Sequence, residues 1–301
     1  MMKSVVQTKD LCKTYAGKNA VNHVNINIRK GDIYGFIGEN GAGKTTFMRM
    51  LCGLAKPTSG TIRLFESDDL ETARKQVGCT IENPAVYPAM TAAENLEVYR
   101  ILLRIPNKNI VQELLDFVGL NALGKKKAKD YSLGMKQRLM IAIAMIGNPD
   151  FLILDEPMNG LDPMGIIEVR DLLLKLNKER QLTIIISSHI LDELSRMATC
   201  YGVIHNGNLI DEFTAQELER RCSQSIKIIV DDTNKSEQLI KTSFGVNCEI
   251  TADNTIILYD HIDQSGDINR LLVSNGINVS YITLIEQKLE SYFMDLIGGK
   301  K

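Results

Sequence analysis

The sequence predicts an α/β fold built on a parallel sheet, followed by a smaller α+β domain. Short apolar runs at residues 33–37, 151–154 and 182–188 have the composition of buried parallel strands. A glycine-rich turn leads from the first run into a helix with apolar residues on one face. From residue 222 to residue 301 the predicted order is β-α-β-β-α-β, which is typical of a ferredoxin-like domain.

The composition is that of an ordinary globular protein. The chain has 301 residues, 44% of them hydrophobic, which suffices for one large domain or two unequal ones. Its net charge of -2 provides no overall field that would attract nucleic acid, and no such partner is expected. The N-terminus has no apolar signal segment, and the longest apolar run, LMIAIAMIG, is too short to span a bilayer. We expect that the chain does not cross a membrane by itself.

The cysteines are scattered along the chain, with no C-x-x-C pair and no clustered histidine. This spacing argues against a zinc site and against a disulfide framework. We expect reduced, buried thiols, as in cytoplasmic proteins. The cysteines are Cys12, Cys52, Cys79, Cys200, Cys222 and Cys248.

The turn after the first strand has the spacing of a phosphate-binding loop. Residues 38–45, GENGAGKT, fit the pattern G-x-x-x-x-G-K-[ST] between a strand and a helix. Backbone N–H groups in such a loop bind phosphate oxygens, helped by the helix dipole. We expect Lys44 to reach the β- and γ-phosphates and the Thr45 hydroxyl to bind Mg²⁺. The predicted nucleotide-binding residues here are Gly38, Glu39, Asn40, Gly41, Ala42, Gly43, Lys44, Thr45 and Thr46.

Two further strands end in residues suited to hydrolysis. In FLILDEP, Asp155 and Glu156 follow four apolar residues, and Pro157 stops the strand. Asp155 is placed to bind the metal, and Glu156 to accept the proton of a water that attacks the γ-phosphate. The run LTIIISS delivers His189 at its end, where it is predicted to contact the γ-phosphate. Two adjacent acids alone are weak evidence of a hydrolytic site, and the phosphate loop earlier in the chain makes that evidence stronger.

A second helix start also has the features of an anion site. In YSLGMKQRLMIAIAMIGNP, Ser132 is the predicted N-cap of a helix that runs to about Ile146, with Gly134 in its first turn. N-cap side chains satisfy free backbone N–H groups, and the helix dipole favours negative charge there. The chain therefore has two helix ends suited to phosphate.

These motifs, in this order, resemble the ATP-binding cassettes of ABC transporters. They are the phosphate loop, YSLGMKQR at 131–138, LILDEP at 152–157, NGLD at 159–162, and His189. The resemblance covers about residues 5–215. It implies a cassette at residues 1–221, with a β subdomain, a RecA-like core and a helical subdomain at about 83–148. It also implies that two cassettes pair head to tail, so that Ser132 and Gly134 of one close over the ATP of the other, and that Tyr15 stacks on adenine.

The chain departs from the commoner family pattern at two motifs. Leu133 and Met135 stand in the signature where Gly and Gln are often found, and Glu82, in CTIENPAVYP, stands where a Gln usually contacts the metal. The family position implies a metal ligand and catalytic role for Glu82, whereas a solvated acid at a strand end is the ordinary alternative. With the signature, IENPAVYP resembles exporters of bacitracin resistance and lantibiotic self-protection. A general multidrug or uncharacterised exporter remains the alternative.

The resemblance therefore implies an ATPase subunit, using ATP and Mg²⁺, on the cytoplasmic face of the membrane through separate permease subunits. It implies a homodimer of cassettes upon ATP binding. A soluble, non-transport cassette of translation or DNA repair is less consistent with one cassette and no heptad repeats. A nucleotide-gated module without turnover would be expected to lack Glu156 and His189. The exported molecule and the role of residues 222–301 stay open.

Overall fold

The computed structural model describes residues 3–81, 86–189, 191–222, 225–251, 254–259, 261–285, 292–293 and 296. Its chain divides into two compact units, Met1–Ala215 and Gln216–Lys301. The division falls just before the boundary after Arg221 that the sequence predicts, and each unit is described by itself.

The first unit contains two sheets and a set of helices. Its strands in chain order are β1 (Ser4–Tyr15), β2 (Lys18–Val24), β3 (Asn27–Arg29), β4 (Ile33–Ile37), β5 (Ser59–Leu64), β6 (Val77–Thr80), β7 (Phe151–Asp155), β8 (Thr183–Ser188), β9 (Cys200–His205) and β10 (Asn208–Thr214). Its helices are α1 (Lys44–Cys52), α2 (Leu70–Ala73), α3 (Ala92–Leu102), α4 (Asn109–Phe117), α5 (Leu133–Met145), α6 (Pro163–Arg180) and α7 (Leu191–Ser195). Short 3₁₀ turns lie at Arg74–Gln76, Asn121–Leu123 and Ala128–Asp130.

The larger sheet carries the predicted site at one edge. Its order, among the described strands, is β10-β9-β4-β8-β7-β6, and every pair except β9–β10 is parallel. Strands β4 and β8 are buried along their whole lengths, as expected of central parallel strands covered on both faces. The register pairs Ile37 with Ser188 and Asp155 with Ser187, so the ends of β4, β7 and β8 lie side by side.

The smaller sheet is antiparallel and is organised around β1, which pairs with β2, β3 and β5. Apolar residues of this sheet, among them Val6, Leu11 and Ile28, join α1 in one core with Phe36 and Phe47. The helix that follows the glycine-rich turn is therefore held between the two sheets, because its apolar face has partners on both.

The helical segment contains α3, α4 and α5, within the range predicted for the helical subdomain. Helix α3 begins with a capping box, in which the Thr91 hydroxyl accepts from Glu94 N and the Glu94 carboxylate accepts from Thr91 N. Helix α5 has Ser132 as its N-cap, as predicted, with the hydroxyl accepting from Met135 N at 3.2 Å. None of the helices formed by described residues is long and apolar enough to span a bilayer.

The second unit begins with α8 (Ala215–Arg221), which overlaps the boundary. It continues as β11 (Ser225–Val230), α9 (Thr233–Phe244), β12 (Glu249–Thr251), β13 (Thr255–Leu258), α10 (Ser265–Ser274) and β14 (Val279–Ile285). The sheet order β12-β13-β11-β14 is antiparallel throughout, and the β-α-β-β-α-β order matches the prediction. Helices α9 and α10 bury Ile240, Ile268 and Leu272 in a core with Ile226 and Ile256.

The cysteines are free thiols, as expected. Cys12 is buried, but the other five are only partly buried, so the expectation of burial was wrong for them. Cys52 is the last residue of α1 and Cys222 directly follows α8, and side chains at element ends are less enclosed than those at element centres.

Candidate functional site

The turn between β4 and α1 requires glycine at two positions because neighbouring backbone approaches it closely. A Cβ on Gly43, which has φ of +114°, would lie 2.3 Å from the carbonyl oxygen of Ala20. A Cβ on Gly38 would lie 2.5 Å from the carbonyl oxygen of Ile204. Any larger residue would therefore push the loop away from β2 and β9, and the loop conformation depends on both glycines.

Lys44 is the first residue of α1, and its side chain is almost fully enclosed by the loop. Its Nζ donates to the carbonyl oxygens of Gly38 at 2.5 Å and Glu39 at 3.1 Å. It also lies 3.3 Å from Oε1 of Glu156. A buried ammonium is costly without such partners. The ammonium is thereby held at the mouth of the loop, between the backbone that would bind phosphate and the acid after β7.

Thr45, Asp155 and Ser187 form a chain of hydrogen bonds beside Lys44. The Thr45 hydroxyl donates to Asp155 Oδ2 at 2.7 Å, and the Ser187 hydroxyl donates to Asp155 Oδ1 at 2.6 Å. These oxygen atoms are the hard donors that Mg²⁺ prefers, and Mg²⁺ is usually held by one or two protein groups plus substrate phosphates. The donor set therefore fits Mg²⁺. A denser cage of three or more His, Cys, Asp or Glu side chains is not found in the described part of the chain.

Glu156 is held from three directions. Its backbone has φ of +50°, a conformation that is uncommon for a non-glycine residue, and its N–H donates to the Ser187 hydroxyl at 2.8 Å. Its Oε2 lies 2.8 Å from His189 Nδ1, while Oε1 is buried and faces Lys44 without a hydrogen bond of good geometry. A strained residue fixed by its surroundings is a frequent feature of functional sites. The carboxylate is therefore aimed at the loop mouth.

A cavity of about 170 Å³ lies at the loop mouth. It brings together most of the loop residues predicted from the sequence, and it adds Ala20, which was not predicted. Its lining residues are Ala20, Glu39, Asn40, Gly41, Gly43, Lys44, Thr45, Thr46 and Glu156. A larger cavity, of about 710 Å³, lies among α3, α4 and the preceding loop, and contains none of the residues predicted for phosphate chemistry. Convergent polar groups, rather than volume, therefore identify the site.

Several predicted residues lie outside the lining of this small cavity, namely Gly38 and Ala42 of the loop, Asp155 and His189 beside it, and Tyr15, Ser132 and Gly134. Tyr15, at the end of β1, is 47% exposed, with Lys13 Nζ 4.8 Å from the centre of its ring. Ser132 caps α5, and Gly134 is buried where a Cβ would lie 3.6 Å from the Cα of Gly165. An exposed ring suits a stacking partner and a capped helix end suits an anion. Their roles toward the nucleotide stay predictions. The predicted metal ligand Glu82 lies in residues 82–85, outside the described residues.

Ser187 is a site residue that sequence reasoning missed. It is fully buried, and its single hydroxyl donates to Asp155 and accepts from the backbone of Glu156, so it joins the two acids. In the sequence it is one of two serines that end a strand, two positions before His189. The strand ends of β7 and β8 were both recognised, and aligning them would have placed this serine beside Asp155.

Comparisons with known proteins agree on one family. The family model described as ABC transporter matches residues 21–159. The bacitracin transport ATP-binding protein BcrA of Bacillus licheniformis is 45% identical over 302 residues, covering 99% of each chain. The lantibiotic transport ATP-binding protein SrtF of Streptococcus pyogenes is 43% identical over 209 residues, covering 69% of this chain and 90% of the relative.

A solved structure extends the similarity to the fold. The dimeric structure of a post-hydrolysis state of the ATP-binding cassette MJ0796, bound to ADP and Pi, superposes with a TM-score of 0.63. It has 26% sequence identity and covers 70% of this chain and 98% of its own. The chain therefore belongs to the ABC transporter family, as an ATP-binding cassette that hydrolyses ATP to drive transport.

Proposed function

We propose that this ATPase drives export of a bacitracin-like or lantibiotic-like peptide, and so protects the cell that makes or meets the peptide. One observation carries this proposal: the similarity to BcrA extends over 99% of both chains, so it includes the second unit as well as the cassette. A relative named for lantibiotic transport matches the cassette at nearly the same identity. The substrate class proposed from both relatives is a peptide antibiotic.

The cavity at the loop mouth is the proposed site of ATP. The loop amides and Thr46 bind the α- and β-phosphates, and the buried Lys44 ammonium supplies positive charge to the β- and γ-phosphates. Thr45 and Asp155 are the proposed protein ligands of Mg²⁺, which would neutralise charge on the phosphates. Glu82 is proposed as a further metal contact from its place in the family pattern alone. Tyr15 supplies the face on which adenine stacks.

Glu156 is the proposed base for hydrolysis. Its carboxylate accepts the proton of the attacking water, while the contact with His189 Nδ1 holds Oε2 in place and orients the ring toward the γ-phosphate. Ser187 fixes the backbone of Glu156 and one oxygen of Asp155 together, so metal ligand and base move as a unit. A γ-phosphate would compete with the Glu156 carboxylate for Lys44, because both are anions that bind the ammonium.

The active form is proposed to be a head-to-tail homodimer. Ser132 and Gly134 do not line the cavity of their own chain, so they are free to complete the site of a second copy. The similarity to a cassette solved as a dimer supports this arrangement. Each nucleotide then lies between a phosphate loop and the capped start of a partner's α5.

Separate permease subunits are proposed to carry the peptide, with this chain on their cytoplasmic side. The end of α3 exposes three consecutive large apolar side chains, Ile101, Leu102 and Leu103, at 60%, 64% and 54%. A contiguous apolar patch on a surface commonly marks an interaction site. The cavity among α3, α4 and the preceding loop opens in the same helical segment. From its place in the family pattern alone, Glu82 is proposed to relay the state of the nucleotide to the permease.

The test is survival of a sensitive strain that expresses this chain with its neighbouring membrane proteins. We expect resistance to bacitracin or to a lantibiotic, no protection against an unrelated hydrophobic dye, and loss of resistance with Lys44→Ala. Purification from membranes is expected to retain integral subunits. Equal protection against the dye would favour the alternative, a general exporter, and a soluble complex without membrane proteins would refute the transport role.

A further inference from the structure

Glu39 presents an electrostatic problem within the phosphate loop. Its carbonyl oxygen accepts from Lys44 Nζ, and the residue lines the cavity proposed for ATP. Its side chain is 55% exposed and carries a negative charge at a site that must attract a triphosphate. A carboxylate close to the phosphates opposes ATP binding unless its charge is neutralised or its side chain points away from them.

His205 is the basic group that faces this carboxylate. It is the last residue of β9, its side chain is 27% exposed, and its Nδ1 lies 3.5 Å from Oε2 of Glu39. Nδ1 is buried and forms no well-aligned hydrogen bond within the described residues, so the contact is mainly electrostatic. His205 is not among the residues predicted from the sequence.

The hydrogen bond on the other side of the ring defines its orientation. Asn206 Nδ2 lies 2.8 Å from His205 Nε2, so an amide N–H donated there leaves the ring proton on Nδ1. The N–H end of the ring therefore points at Glu39. Through the chain of contacts His205, Glu39 and Lys44, a residue of β9 acts on the lysine of the phosphate loop.

The hairpin between β9 and β10 is itself bound to the phosphate loop. Asn206 and Gly207 have φ of +48° and +81°, the values of the tight turn that the Asn-Gly pair predicts. Gly207 N donates to the carbonyl oxygen of Ala42 at 2.9 Å, and its carbonyl accepts from Asn22 N at 2.8 Å. His205 is thus carried on a turn that is fixed directly to the loop.

We propose that His205 is a positioning residue that holds the Glu39 carboxylate on the hairpin side of the phosphate loop through the positive N–H end of its ring, so that the loop binds ATP more tightly. The inference rests on the proposed assignment of the cavity to ATP. The pair is partly exposed, so its effect is modest, about two- to fivefold in affinity. His205 acts on binding and not on the bond that is broken, so KM changes more than kcat.

The test is a double-mutant cycle of Mg-ATP affinity by titration, with KM and kcat measured in parallel. His205→Ala is expected to weaken affinity about two- to fivefold, because Glu39 loses its partner. Glu39→Gln is expected to tighten it about twofold or more, because a negative charge is removed. In the double variant, affinity is expected to return to the Glu39→Gln level. His205→Gln keeps an N–H donor, so its ATP affinity is expected to lie between those of His205→Ala and wild type. If His205→Ala fails to fold, His205→Gln takes its place in the cycle.

A matched control separates this role from loosening of the hairpin. Asn208→Ala removes the contacts to Asn22 and to the Asn206 carbonyl but leaves His205 in place. Its effect is expected to be the same whether residue 39 is Glu or Gln. An equal loss for His205→Ala with and without Glu39→Gln would overturn the proposal, as would unchanged affinity in His205→Ala. Absence of ATP binding in the wild-type chain would instead refute the proposed site.

Discussion

Replacing Ser187 with alanine tests whether the two acids of the site work as a unit. The substitution removes one hydroxyl, and with it the 2.6 Å hydrogen bond to Asp155 Oδ1 and the 2.8 Å hydrogen bond from Glu156 N. Ser187 is fully buried, so water does not readily replace the hydroxyl. Asp155 then loses a donor, and the N–H of Glu156 loses its acceptor at a residue whose φ is already +50°.

The magnitude follows from the kinds of bond that are lost. A hydrogen bond to a charged group contributes about 1.5–3 kcal/mol, and an unsatisfied backbone N–H costs about 1–3 kcal/mol. We expect a loss of about 2–4 kcal/mol in the free energy of unfolding, or a Tm lower by about 5–10 °C for a domain of this size. If half of that loss also applies in the transition state, kcat falls about 5- to 30-fold.

The assay is phosphate release at saturating Mg-ATP, well below the Tm of the variant. Thr183→Ala is the matched control, because Thr183 is a buried residue of the same strand whose hydroxyl accepts one hydrogen bond, from Gly31 N at 2.9 Å. We expect the control to lose about 1 kcal/mol of stability and to keep its kcat. A folded Ser187→Ala protein with the kcat of wild type, or an equal loss of kcat in the control, would show that Ser187 does not couple Asp155 and Glu156.

Three further predictions concern other parts of the chain. A chain that ends after Arg221 should remain soluble and bind ATP, as measured by titration, whereas an insoluble or nucleotide-blind product would show that the second unit belongs to the cassette core. Cys79 should react first with iodoacetamide in a time course followed by mass spectrometry, because a hydrogen bond from the Cys52 thiol lowers the pKa of Cys79, whereas burial raises the pKa of Cys200 to about 12. Cys52→Ala should slow the reaction of Cys79 more than Cys52→Ser does. Equal rates in the two variants would contradict a hydrogen bond from residue 52 to Cys79. Glu82→Ala should reduce peptide resistance far more than ATP affinity, and Glu82→Gln should have a smaller effect. Survival of cells with Glu82→Ala at the wild-type level would show that Glu82 is only a solvated acid.

Features encoded by neighbouring residues were predictable from the sequence. The bounds of β4 match the predicted run, and Ser132 caps α5 as predicted, because each depends on a few adjacent side chains. The spacing of Gly38, Gly43 and Lys44 likewise encodes a local backbone shape. Glycine is required at the first two positions, however, because the carbonyls of Ala20 and Ile204, distant in sequence, leave no room for a side chain.

Features that depend on long-range register were not predictable in the same way. Ser187 becomes a site residue only because β7 and β8 pair with Asp155 opposite it. His205 reaches Glu39 because β9 lies beside β4, a neighbour that sequence order does not reveal. Burial of the thiols was overestimated because the composition shows that cysteines are apolar but not which of them the fold encloses.

The most direct test of the account is Glu156→Gln with Mg-ATP, analysed by size-exclusion chromatography with light scattering and by phosphate release. The substitution removes the proton acceptor but keeps the size of the side chain, so the phosphate loop still binds ATP. We expect a stable dimer that retains two ATP molecules and turns over at least about 100-fold more slowly than wild type. A variant that stays monomeric and hydrolyses ATP at the wild-type rate would show that Glu156 is not the base and that ATP does not pair the cassettes.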